Sequence, residues 1–120
     1  MRKLVVTAAA VALLLPAFAV GGGWATVQLS STPAKSRAGV PWVVSLTVLQ
    51  HGMTPLADVQ PVVRIVQGTT KRSFVARPTA KTGVYRARVV FPRAGMWRWS
   101  IWDGFSRTHT YKPVRVAAAL

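Results

Sequence analysis

Thr82-Gly83-Val84-Tyr85-Arg86-Ala87-Arg88-Val89-Val90-Phe91 decides how this chain is read. Tyr85, Ala87, Val89 and Phe91 fall on one face of an extended segment, with Arg86 and Arg88 on the other. That period of two belongs to a half-buried strand. Pro92-Arg93-Ala94-Gly95 turns the chain into Met96 to Trp102, where Trp97, Trp99 and Ile101 alternate with Arg98 and Ser100. Upstream, Trp42 to Gln50 sets Trp42, Val44, Leu46 and Val48 against Ser45 and Thr47. Trp24 to Leu29, Val62 to Gln67, Arg72 to Arg77, Phe105 to Tyr111 and Val114 to Val116 read as further strands. Turn residues rich in Gly, Pro and Ser separate them. Asp103-Gly104 reads as a two-residue type I′ hairpin turn, since both residue types tolerate positive φ. No long segment repeats at helical period. About seven short strand runs in about 100 residues predict an all-β, immunoglobulin-like β-sandwich, with a small Greek-key barrel as the alternative.

Composition narrows the chemistry. The chain has 120 residues, 16 Lys and Arg against 2 Asp and Glu, a formal charge of +14 and no cysteine. At 51% hydrophobic it is too apolar for a disordered basic tail. The lack of Cys excludes disulfides, thiolate zinc sites and iron–sulfur clusters, and two carboxylates cannot build a calcium cage. The N-terminus reads as an export signal: basic Arg2-Lys3, an uncharged apolar run from Leu4, then Pro16-Ala17-Phe18-Ala19 as a cleavage site. The expected division is therefore a signal helix over residues 1–19 and a β-sandwich domain over 20–120. If retained, the 17 uncharged residues from Leu4 to Val20 are a short membrane anchor. Either way the domain is expected outside the cytoplasm, as a secreted, periplasmic or cell-surface protein.

Gly83-Val84-Tyr85-Arg86-Ala87-Arg88-Val89-Val90-Phe91, followed by Ala94-Gly95-Met96-Trp97, resembles the signature of YtkA-like and FixH-family domains. Gly39-Val40-Pro41 before Trp42, and the loop His51-Gly52-Met53-Thr54-Pro55-Leu56, fit the same pattern. The resemblance implies an extracytoplasmic β-sandwich that is not an enzyme. Some relatives stand near copper handling or respiratory-oxidase assembly. FixH proper keeps a transmembrane helix, where this chain has a signal-like segment. Independently of any family, a Tyr just after a Gly near a strand start suits a tyrosine corner, with its hydroxyl bonded back to loop backbone. Trp97 suits the core between the sheets.

Two kinds of binding residue stand out. Arg64, Arg86, Arg88 and Arg98 lie on strands opposite the apolar positions and read as one Arg-rich sheet face. Arg72, Arg77, Arg93, Arg107, Lys71, Lys81 and Lys112 add to its field. Guanidinium forks bind carboxylate and phosphate in bidentate fashion, so an anionic partner is expected: an envelope protein, anionic lipid or cell-wall polymer. Export argues against nucleic acid. The second kind is His51, Met53, Met96 and His109, whose imidazole and thioether donors suit copper. On an extended segment, His51 and Met53 at i and i+2 point to the same side, with Met96 or His109 completing the set. No nucleophile elbow or phosphate-cradling glycine loop is present, and the only carboxylate pair is Asp58 with Asp103, so no catalytic residue is assigned.

Overall fold

The computed structural model describes residues 23–120. The signal segment expected over 1–19 lies outside them. Strands β1 (Ala25–Leu29), β2 (Trp42–Gln50), β3 (Thr54–Pro55), β4 (Val62–Gln67), β5 (Thr70–Val75), β6 (Arg77–Pro78), β7 (Val84–Val89), β8 (Gly95–Trp102), β9 (Thr108–Thr110) and β10 (Val114–Val116) follow one another. Among the described residues a 3-10 turn, Pro33–Lys35, interrupts them. One sheet runs β1-β2-β7-β6, with β3 on the end of β2. The other runs β9-β8-β4-β5, with β10 also on β8. All these strand pairs are antiparallel. The architecture is the expected β-sandwich.

The inner faces are the alternating residues of the sequence. Val44 lies across from Ala87 and Leu46 from Tyr85 in the first sheet. Ile65 lies across from Trp99 and Val63 from Ile101 in the second. These side chains, with Val48, Val89, Phe91 and Trp97, form one buried cluster. Fully burying each large side chain contributes about 1.5–3 kcal/mol, which is how a cysteine-free domain holds together. Trp42 meets Trp99 edge-on at 5.5 Å and Phe91 meets Trp97 at 5.6 Å between ring centroids. The buried indoles keep their N–H groups bonded: Trp97 to the Arg93 carbonyl, Trp99 to the Lys112 carbonyl and Trp42 to Ser31 Oγ.

Three expected elements differ most from the structure. The run Arg72–Arg77 is not one strand. Gln67 pairs with Thr70 across a tight turn, so β5 starts at Thr70, and after Val75 the chain leaves the sheet through buried Ala76. Arg77-Pro78 then pairs with β7 in the opposite sheet. The Asp103-Gly104 hairpin is also corrected. Trp102 pairs with Thr108, which leaves residues 103–107 as a wider loop, and Gly104, not Asp103, has positive φ (81°). Asp103 is buried and anchors that loop with its carboxylate. Strand Phe105–Tyr111 is accordingly shortened to Thr108–Thr110.

Candidate anion-binding faces

Alternation sent the four candidate arginines outward, and all four are exposed. They do not share a face. Arg86 and Arg88 stand on β7 in the first sheet, and Arg64 and Arg98 on β4 and β8 in the second. The single Arg-rich face read from the sequence is therefore two faces on opposite sides of the sandwich. A period of two separates inside from outside but carries no information on which sheet a strand joins.

On the first sheet Arg77 lies directly across from Arg86, and Arg88 follows two residues along β7. Their partners on β2 are uncharged: Ser45 faces Arg86 and Val43 faces Arg88. Like charges directly opposite one another destabilise a sheet. No carboxylate forms an ion pair with them among the described residues, although Asp58 lines a cleft beside the adjacent Pro78 and Tyr85. Among the described residues no Lys or Arg is paired with a carboxylate, and the one ion pair is His109 with Asp103.

The second sheet is interrupted. β9 and β10 both pair with β8, but between them Lys112-Pro113 leaves the ladder opposite Arg98, while the Tyr111 N–H still donates to the Trp99 carbonyl at 3.4 Å. Pro113 has no N–H to donate, which accounts for a break there. Tyr111 also lays its ring on Trp99, stacked at 4.1 Å and 9°. Burial raises the Tyr111 phenol above its ordinary pKa of 10.0, so it stays protonated at neutral pH. The break leaves a groove of about 380 Å³ on the outer face. Arg64 and Val66 form one wall, Tyr111 and Pro113 the other, and Arg98 and Ser100 lie between.

His51, Met53 and His109 reach one end of the sandwich, and Met96 does not. His51-Gly52-Met53 is a tight turn between β2 and β3, with His51 at φ 52° and Gly52 at φ 72°. The extended geometry expected to align His51 with Met53 is absent. His51 packs against the Trp24 ring at 5.0 Å, and its turn adjoins Thr26. Thr26 lines a cleft with His109, and its buried Oγ1 has no hydrogen-bond partner. Met96 sits six residues before the β8 terminus Trp102, about 20 Å away by strand rise, on the outer face opposite Arg115. It cannot share a metal ion with His109. Among the described residues no three His, Asp or Glu side chains converge.

Two polar side chains fix loops at this same end. The Tyr85 hydroxyl donates to the Leu56 carbonyl at 2.6 Å and accepts from the Val59 N–H at 3.3 Å. Gly83 at φ 82° lets β7 start against Pro55, whose side chain would stand 2.7 Å from any Cβ there. Asp103 is fully buried. Its carboxylate accepts from the N–H groups of Phe105, Ser106 and Arg107 and from the Ser106 hydroxyl, and lies 2.9 Å from His109 Nε2. Burial pushes the carboxyl pKa up. The Ser106 N–H, the His109 ring, the Phe105 N–H and the Ser106 hydroxyl together outweigh it, so the group lies below its ordinary 3.8.

Compared with known proteins, the chain matches no protein-family model, and no curated protein matches it.

Proposed function

We propose that this is an exported, non-catalytic accessory protein of the cell envelope, of the YtkA-like or FixH-like kind, which binds an anionic partner through arginines on its sheet surface. One observation carries the reading: Arg77, Arg86 and Arg88 crowd one sheet face and none of them is paired with a carboxylate. Such an array is unfavourable alone and favourable against phosphate or carboxylate, whose oxygens bridge neighbouring guanidinium groups. The test is retention on immobilised polyphosphate across a salt gradient. The Arg86→Gln, Arg88→Gln pair should elute at clearly lower salt than the charge-matched Lys35→Gln, Arg115→Gln pair. Equal elution would reduce the array to a general consequence of net charge and overturn the reading.

Copper binding is the second reading, favoured by the arrival of His51, Met53 and His109 at one end of the sandwich. Its donors are imidazole and thioether, which suit copper. Competition titration with Cu(I) and Cu(II) tests it. Tight binding that disappears in the His51→Ala, Met53→Ala variant would establish it, and no binding above the competitor removes it.

A further inference from the structure

The groove at the break between β9 and β10 differs from the opposite Arg array in three respects. It is concave, it has apolar walls, and its two arginines have different neighbours. Arg64 lies across from Ser100, while Arg98 lies across from Val66. Arg64 and Arg98 are thus diagonal neighbours on adjacent strands, about 7–8 Å apart at the backbone. Two exposed guanidinium forks at that spacing can close on one tetrahedral anion from two sides. Between them lies the Ser100 hydroxyl, with Thr110 at the same level on β9. Val66 and Pro113 add apolar surface beside Tyr111, which is half-buried against the core and stacked on Trp99. The volume, about 380 Å³, is within the range of small-ligand sites.

We propose that this groove binds a phosphate ester. Arg64 and Arg98 clamp the phosphate, the Ser100 and Thr110 hydroxyls bond its remaining oxygens, and the organic part lies along Val66, Tyr111 and Pro113. An ester fits better than inorganic phosphate because the walls offer an apolar body surface to cover. It fits better than a carboxylate because four donor side chains line the groove, more than two oxygens can satisfy. Lipid headgroups and polyol-phosphate wall polymers both carry this chemistry. The inference rests on the reading of this chain as a binder of anionic partners, but it places a discrete site on the sheet opposite the Arg77–Arg86–Arg88 array.

The experiment is a titration of the isotope-labelled protein with phenyl phosphate, inorganic phosphate and phenylacetate, followed by backbone amide shifts. Phenyl phosphate should bind saturably, with shifts concentrated around residues 64–66, 98–100 and 110–113. Its affinity should fall about tenfold or more in Arg64→Gln, Arg98→Gln, as expected when charge-assisted bonds are removed. The Lys pair at these positions keeps charge without the fork and should also weaken binding. Unchanged chemical-shift dispersion would show that these surface variants still fold. Inorganic phosphate or phenylacetate binding as tightly as phenyl phosphate would overturn the proposal, as would shifts centred on Arg86 and Arg88. Polyphosphate retention in the Arg64, Arg98 variant separates the two ideas. If it persists and the unsubstituted protein binds no ester, this groove fails and the envelope-binding reading stands; if it is lost only here, the array fails instead. Dihexanoyl phosphatidylglycerol and oligomeric glycerol phosphate, titrated in parallel, then distinguish the two sources.

Discussion

The two sheets of this sandwich carry the same sign of charge on their outer faces but build it differently. In the first, β7 pairs without interruption to β2, and Arg77, Arg86 and Arg88 form a flat array in which two arginines directly oppose each other. In the second, the last strand breaks at Lys112-Pro113 and the arginines flank a groove, facing Ser100 and Val66 instead of one another. The sheets also secure their loops differently. Tyr85 of the first holds residues 56–59 with one neutral hydroxyl, whereas Asp103, just past β8 of the second, holds residues 103–107 with a buried carboxylate. A flat array suits a long polyanion. A groove suits one group on a small body.

The largest effect that would sharpen this contrast is expected at Asp103. Asp103→Ala leaves three part-buried loop N–H groups without their acceptor and should cost about 2–3 kcal/mol in urea unfolding. A loss below about 1 kcal/mol would mean that water replaces the carboxylate and that the loop needs no anchor. Tyr85→Phe deletes the neutral anchor and should cost less, about 1–2 kcal/mol. If both variants lose the same amount, the distinction between a charged and a neutral anchor collapses.

Acid should expose the same asymmetry. The Asp103 carboxyl lies below its ordinary value, so the unfolded chain takes up this proton at higher pH than the folded one. Its stabilisation is complete above about pH 4, declines below that, and is gone once pH passes the lowered folded value. Asp103→Asn should flatten that part of the stability profile, and Tyr85→Phe should leave its shape unchanged. The profile would be read from urea midpoints at a series of acid pH values. An unaltered slope in Asp103→Asn would assign the acid sensitivity to another group.

The smallest predicted change concerns the arrays themselves. Arg86→Thr removes a directly opposed like charge and should stabilise the domain by a few tenths of a kcal/mol. Arg98→Thr faces Val66 and should show no such gain. Thermal midpoints at low salt would detect the difference, and added salt should erase it. Equal shifts in the two variants would show that overall charge, not opposition of Arg77 and Arg86, sets the cost.

Strand positions were the most legible part of the molecule. Trp42–Gln50, Val62–Gln67 and Val114–Val116 have the same limits in the sequence reading and in the structure. Each is bounded by turn chemistry, and the first alternates strongly. The run from Arg72 to Arg77 misled because strand propensity continues through the point where the chain changes sheets. Ala76, where that crossing occurs, carries no turn signal. Asp103-Gly104 misled because a short polar pair is equally suited to a hairpin and to a buried carboxylate that caps a wider loop. The Lys112-Pro113 pair was the available signal for the groove, since proline inside a strand run marks an edge or a break.

The sequence by itself determined which side chains enter the core and which face outward. That information is local: successive residues of a strand point to opposite faces whatever strand lies alongside. It therefore specified a cysteine-free sandwich with arginines on its surface. Only the tertiary structure decided that Arg86 belongs with Arg77 and Arg64 with Arg98. Sheet membership depends on long-range pairing and on where the chain crosses over, through residues 56–61, at Ala76 and through residues 90–94. Those pairings are chosen by the burial of both inner faces together, a property of the whole chain and of no single stretch.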